Sequence, residues 1–326
     1  MGSVRIVEDL EECSYLWGKH YPLERVFDFW ELRSCFSDTY SRETAFVVYE
    51  ENGEVLGFLP LSRIRETGTY AFFPGETWEG KTWIEQNKII VKSPRAMSAI
   101  IEAVPGAANI RYLAAAPYLK DMASIVEGGV VPDETGFVFQ PAIHDYSYDN
   151  YLTSFPGKSR KKILAEVNAI RSKGVDVKIN DVDDVNALYK MNLDNFGDKS
   201  YFYDPRFLNG FERMIAFLES RDMLRIVTVM VGGRLAAVDV GGIYNNRAVF
   251  LAGGTHRDFP GIAKLINLYH MEWACLEKIE EMDFLCGDFG WKERFRLSQR
   301  VLYQINTKRP SLTPAVRPFE RAPIYA

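Results

Sequence analysis

Apolar and polar positions fall in the same order of blocks twice along this chain. In the second half, Arg225-Ile-Val-Thr-Val-Met-Val231 is a β-branched run, Gly232-Gly233 a turn, and Leu235-Ala-Ala-Val-Asp-Val240 a second run. A turn at Tyr244-Asn-Asn-Arg247 leads into the strand Ala248-Val-Phe-Leu-Ala252. The loop Gly253-Gly-Thr-His-Arg-Asp-Phe-Pro-Gly261 then opens an apolar segment that predicts a helix from about Ile262 to Ile279. Strands are expected at Met282–Leu285 and Val301–Ile305. Upstream, Ser159–Lys173 is amphipathic, with Ile163, Val167 and Ile170 on one side and Lys161, Lys162 and Glu166 on the other. Val175–Ile179 predicts a strand, Asp181 starts a second helix, and Pro205–Ser220 makes a third.

The first half begins with a strand at Val4–Val7 and helical segments through about Phe36. Thr44–Tyr49 and Val55–Leu61 flank the hairpin turn Glu51-Asn-Gly-Glu54. Tyr70–Phe73 is a short strand, and Ser93–Ala103 a helix with Ser93 as cap and Pro94 in the first helical position. Ile110–Ala114 predicts a strand, Pro117–Glu127 a helix, and Phe137–Pro141 a strand. Both halves therefore run helices, hairpin, strand, helix, strand, and the hairpin Val47–Pro60 corresponds to Val227–Val240. We read this as a diverged structural duplication in an α/β chain with mixed sheets. The boundary falls at Ile143–Asp149, dividing domains 1–145 and 146–306 from an extended tail, 307–326, that holds Pro310, Pro314, Pro318 and Pro323.

The length of 326 residues suits two cores of ~150 residues each. A net charge of −5 disfavours a general nucleic-acid binder. Cys13, Cys35, Cys275 and Cys286 form no CxxC pair, and His20, His144, His256 and His270 are scattered, so no metal is expected. Unpaired thiols suit a reducing cytoplasm. No apolar run reaches the ~18–20 residues that would span a membrane. The first residues show no basic-then-apolar leader, and Ile6 stands where a myristoylation signal needs Ser or Thr. GxSxG, HExxH and P-loop patterns are missing, so hydrolase, metalloprotease and kinase chemistry has no support.

The glycine loop before a helix N-terminus is the first candidate site, because exposed N–H groups and the helix dipole hold an anion there. Backbone amides from Phe259, Gly261, Ile262 and Ala263 would supply the cradle, with Arg257 and Lys264 adding charge. Asp239 lies mid-strand between valines, where a carboxylate needs a cation, a donor or water. Lys292 and Asp288 sit in an acidic, aromatic turn. Tyr201, Tyr203 and Arg206, with Glu76 and Trp78 of the first half, are candidates for lining an acceptor pocket, and Glu76 and Glu79 would suit a cationic amine. Lys158–Lys162 is a basic run, either a solvated helix start or a grip for an anion.

Four stretches resemble the GNAT superfamily of acyltransferases, and within it the two-domain branch of CelD-like acetyltransferases and Fem-like peptidyltransferases. They are Tyr151 followed by Gly157-Lys-Ser-Arg-Lys-Lys162, the hairpin Gly233-Arg-Leu-Ala-Ala237, the loop Arg257-Asp-Phe-Pro-Gly-Ile-Ala263, and Asp283-Phe-Leu-Cys-Gly-Asp-Phe-Gly-Trp-Lys292. The likeness is strong over 145–306 and weak before it; the loop has one extra residue, and Trp291 replaces the usual tyrosine. It implies tandem GNAT-like domains, the second binding the acyl donor and the first shaping the acceptor site. The implied donor is acetyl-CoA or another acyl-CoA, its pantetheine amides paired to the strand of Leu251 and Gly253 and its pyrophosphate at the loop. The implied acceptor is a small-molecule or peptidyl amine. Asp239 is then a candidate general base, Lys292 and Asp288 would close the acceptor site, and Tyr269 would protonate the leaving thiolate. Two rivals stand beside this reading: an aminoacyl-tRNA-dependent peptidyltransferase drawing on charged tRNA, and a non-catalytic binding protein that keeps the fold.

Overall fold

A computed structural model describes residues 2–116, 119, 129–287 and 290–307. The expected helix Pro117–Glu127, apart from Leu119, and the tail beyond Thr307 lie outside the described residues. The first half contributes strands β1 (Ser3–Val7), β2 (Glu43–Thr44), β3 (Phe46–Glu51), β4 (Glu54–Leu59), β5 (Leu61–Ile64), β6 (Thr69–Phe72), β7 (Ile90–Val91), β8 (Asn109–Leu113) and β9 (Val130–Phe139). Its helices are α1 (Leu10–His20), α2 (Trp30–Tyr40) and α3 (Pro94–Glu102). The second half adds α4 (Tyr148–Thr153), α5 (Gly157–Arg171), β10 (Val175–Ile179), α6 (Val185–Phe196) and α7 (Pro205–Ser220). It continues with β11 (Leu224–Val231), β12 (Arg234–Tyr244), β13 (Arg247–Thr255), α8 (Ile262–Leu276), β14 (Glu281–Asp283) and β15 (Ser298–Asn306).

The duplication is plain in the pairing. In the second half β10, β11, β12 and β13 are antiparallel neighbours, and β13 then pairs in parallel with β14 across the α8 crossover. In the first half β1 pairs with β3 and β3 with β4, while β2 and β5 prolong that hairpin beyond Pro60, a residue that cannot donate to a ladder. β6 lies on β5, and a parallel bridge from Tyr70 to Ala108 joins it to the start of β8 across the α3 crossover. Each half thus presents helices, a hairpin, a third strand, a crossover helix and a parallel fourth strand.

The halves also exchange strands. β9, the last strand before residue 145, pairs with β14, and β15, the last strand of the second half, pairs with β8 as well as β9. One eight-stranded sheet, in the order β10-β11-β12-β13-β14-β9-β15-β8, therefore takes strands from both sides of the 143–149 boundary.

Three expected elements shift. β9 begins at Val130, not Phe137, because Pro132, Asp133 and Glu134 break the apolar pattern although the chain is extended there. β14 ends at Asp283 instead of running to Leu285, whose positive φ turns the chain. α8 stops at Leu276, and Lys278 takes a positive φ just beyond it.

Three buried clusters fill the structure. One packs α1 and α3 on the first sheet, and another places α5 and α8 on one face of the second sheet. The remaining cluster lies between the halves, where Phe36 of α2 meets Phe207 of α7 with ring centroids 5.3 Å apart. Gly210 permits that approach: a Cβ there would lie 2.7 Å from the Phe36 ring.

Candidate active site

β13 and β14 pair only over Arg247–Val249 and Glu281–Asp283. β13 continues straight to Thr255, whereas the chain after Asp283 turns away and bonds instead to Phe137 of β9 (Phe284 N to Phe137 O, 2.9 Å; Phe137 N to Leu285 O, 3.2 Å). The two parallel strands therefore part. Among the described residues, the β13 edge from Phe250 to Thr255 has no strand partner on that side. Phe250 and Phe284 stack at 4.9 Å. An open strand edge of this kind can bond the amides of an extended ligand.

The loop after β13 leads to Gly261, which caps α8 in the left-handed region (φ 84°). The expected run of free amides is shorter than the sequence suggested. Phe259, Ile262 and Lys264 N–H bond to the carbonyls of His256, Phe259 and Gly261 at 3.1, 3.1 and 3.0 Å. The amides of Gly261 and Ala263 make no hydrogen bond among the described residues, so they remain for an anion. Arg257 is spent on Asn195 Oδ1 (3.0 Å) and the Asp194 carbonyl at the end of α6. Lys264 pairs with Glu166 of α5 at 2.6 Å. Both cations therefore brace the loop against its neighbours. The side chains of Ile262 and Leu251 are core residues, and Phe259 is half-buried under Arg234.

Asp239 finds its partner in His270 of α8. The two meet at 2.9 Å, His270 Nε2 to Asp239 Oδ2, and His270 is fully buried. Burial lowers the imidazole pKa against the opposing pull of Asp239, so the neutral ring donates Nε2–H to the carboxylate. Asp239 Oδ1 lies over Gly253, where any Cβ would stand 2.4 Å from it. That glycine on the open strand is therefore the space the carboxylate occupies. Tyr201 lies close enough for the charge of Asp239 to act, after burial, in raising its phenol pKa. Burial and then this charge keep the hydroxyl protonated.

Other candidates have different duties. Lys292 is 2% exposed and donates to the carbonyls of Phe284, Leu285 and Cys286 at 2.7, 2.8 and 2.8 Å. It holds the turn where β14 leaves β13. Asp288 lies outside the described residues. Tyr269 faces Arg225, which stacks 3.5 Å over Trp273, and so packs within the α8 layer. Glu76 is fully buried and accepts the N–H groups of Trp83 and Ile84 at 2.8 and 2.5 Å, latching its own loop. Tyr151, from the first resembling stretch, is a buried post whose hydroxyl bonds Phe295 O at 2.8 Å.

Between the halves lies a cavity of about 480 Å³, lined by Trp78, Tyr203 and Arg206 of the acceptor-pocket candidates and not by Glu76, Tyr201, Asp239 or Lys292. Tyr201 stands between the two places: its ring meets Trp78 edge-on at 5.9 Å.

Sequence reasoning missed Glu85. It reaches across from the first half, and both its oxygens accept Cys286 N–H at 2.9 Å. Burial, then the charge of Asp283, raises its pKa to about 7. Asp283 is itself held by Leu285 N (2.8 Å), Gln86 and Arg300. A contact 201 positions apart leaves no local signal in the sequence.

Residues 157–293 match a family model described as an acetyltransferase (GNAT) domain. No curated protein matches the chain. Among solved structures it is similar to a conserved protein of unknown function from Bacteroides thetaiotaomicron, with TM-score 0.58, 11% identity and coverage of 94% of this chain and 100% of that one. It is similar to FemX with TM-score 0.57, 10% identity and coverage of 92% and 96%. A tandem GNAT protein from the clavulanic acid biosynthesis pathway matches with TM-score 0.51, 13% identity and coverage of 95% and 100%. These likenesses show the fold. Among the described residues no group of His, Cys, Asp and Glu could hold a metal, and no helix is long and apolar enough to cross a membrane.

Proposed function

We propose that the protein is an N-acyltransferase that moves an acyl group from acyl-CoA to an amine; the match of residues 157–293 to an acetyltransferase (GNAT) domain model and the likeness in fold to a tandem GNAT protein support this reading. The observation that carries this reading is the open edge of β13, which ends at the loop and the N-terminus of α8. Pantetheine amides would bond that edge, and the amides of Gly261 and Ala263 would hold the pyrophosphate. The amine nitrogen attacks the thioester carbonyl, the C–S bond breaks, and the thiolate leaves as coenzyme A. Asp239, beside Gly253, takes the proton from nitrogen. Tyr201, kept protonated, is the group near that carboxylate that can give a proton to the leaving sulfur.

Calorimetry with acetyl-CoA, longer acyl-CoAs and charged tRNA tests the donor. Acyl-CoA should bind, and Ala263→Glu should abolish that binding by setting a carboxylate against the phosphates without straining the backbone. Gly261→Glu should do the same, although its left-handed φ adds strain. Unchanged CoA affinity in Ala263→Glu would remove the donor from this loop. Binding of charged tRNA in place of acyl-CoA would favour the peptidyltransferase reading, to which the exposed Lys158, Lys161 and Lys162 lend weight.

A further inference from the structure

The cavity between the halves has a chemistry of its own. Its volume of about 480 Å³ falls in the ~300–1,000 Å³ range of small-molecule sites. Trp78 and Tyr203 offer ring surface, Asn109 an amide, and Thr82 a hydroxyl. Thr82 is 7% exposed and its Oγ1 has no hydrogen-bond partner, an uncompensated cost unless a ligand or water meets it. The two lining arginines are already neutralised. Arg111 bonds Asp133 and Glu134, and Arg206 bonds Asp204 and Glu66. Glu79 and Asp198, both exposed and lining the same cavity, have no ion pair among the described residues, so the cavity keeps an anionic excess.

These features select one class of ligand. An aliphatic polyamine would satisfy Glu79 and Asp198 and donate to the oxygens of Thr82 and Asn109, but, having no acceptor, it would leave the Thr82 O–H and the Asn109 NH2 without partners and the rings of Trp78 and Tyr203 uncovered. A neutral sugar would match the hydroxyl and the amide, and lay its apolar ring face on an aromatic side chain, but would leave the carboxylates without a cation. We propose that the cavity binds an amino sugar: its hydroxyls meet Thr82 and Asn109, its ring packs on Trp78 or Tyr203, and its ammonium lies toward Glu79 and Asp198. Binding stands on this cavity alone. Only the further step, that this sugar is the acyl acceptor, rests on the proposed function. That step has a route, because Tyr201 touches Trp78 at the cavity wall and lies within reach of the charge of Asp239.

The test is calorimetry on the full chain with three probes: glucosamine, glucose and putrescine. Glucosamine should bind at least tenfold more tightly than either of the others. Glu79→Gln with Asp198→Asn should bring glucosamine down to the glucose level, and Thr82→Val should weaken glucosamine severalfold more than putrescine. These are surface or isosteric changes, and unchanged melting temperatures would confirm that the variants fold. Putrescine binding as tightly as glucosamine, with Thr82→Val silent, would overturn the sugar assignment in favour of a plain cation site. No binding of any probe would overturn the site altogether. Release of coenzyme A thiol from acetyl-CoA, followed with and without glucosamine, separates the two proposals. Glucosamine that binds without stimulating release leaves this site standing and counts against its use as acceptor. Acylation of an unrelated amine without sugar binding would keep the transferase and sink the sugar site.

Discussion

Replacing Lys292 by methionine tests how the proposed donor cleft is kept open. The side chain is 2% exposed, and its ammonium holds three carbonyls, those of Phe284, Leu285 and Cys286. Methionine fills similar volume and cannot donate. Leu285 O keeps a second partner, Phe137 N at 3.2 Å, so the change strips the carbonyls of Phe284 and Cys286 of this donor. Each such loss costs ~1–3 kcal/mol, and removal of the buried ammonium returns part of its desolvation penalty. Two such losses come to about 2–6 kcal/mol, and the returned desolvation lowers the net to about 1–4 kcal/mol. Unfolding entropy of ~2.1 cal/mol/K per residue over 326 residues gives about 0.7 kcal/mol/K. The melting temperature should therefore fall by about 1–6 °C, read by calorimetry or circular dichroism. Because the turn fixes where β14 departs from β13, acyl-CoA affinity should fall with it. An unchanged melting temperature together with lost turnover would refute the structural role and return Lys292 to the chemistry.

The remaining expectations are shorter. Glu85 has a folded pKa of about 7, above its ordinary value, so the folded state holds an extra proton between the two and stability should decline as pH rises through that window. Glu85→Gln should flatten the decline, and an unaltered slope in melting temperature from pH 5 to 8 would show that Glu85 does not titrate there. His270→Gln keeps a donor for Asp239 and should retain turnover that His270→Leu loses, with donor affinity equal in both. Asp239→Asn should cut turnover ~10²-fold or more with donor binding intact; full turnover would make Asp239 structural. Gly210→Ala forces a methyl to 2.7 Å from Phe36 and should cost ~1–3 kcal/mol, measured by denaturant unfolding.

The fold was readable in the sequence wherever local pattern and local structure coincide. Hairpins with glycine turns, the Ser93 cap and Pro205–Ser220 lie close to where the sequence placed them, because these are decided by neighbouring residues. β9 was cut short because strand pairing with β15, not apolar alternation, keeps Val130–Glu134 extended. The same limit applies to the site. The β13 loop and α8 could be read from glycine and apolar spacing, and Asp239 stood out as a carboxylate between valines. Its partner could not be read: His270 lies 31 positions further along the chain, and only the packing of α8 on the sheet brings it to 2.9 Å. Arg257 and Lys264 were expected at phosphate because they flank the loop in sequence. In space, Asn195 and Glu166 lie nearer to hand.

Strand exchange decides how far the two halves can be treated as separate. If each half closed its own sheet, a cut near residue 145 would give two folding units. Here β14, which forms one arm of the proposed donor cleft, is covered on its far side by β9 of the first half. The turn after β14 rests on Glu85 of the same half through Cys286 N–H. Arg25 and Gln86, also of the first half, pair with Glu281 and Asp283 at its base. Losing the first half would leave β14 with an open edge, buried acids without partners and a cleft with one arm unsupported. The first copy therefore supplies the framework that makes the second copy's parallel strands part at Val249 and Asp283 and not elsewhere.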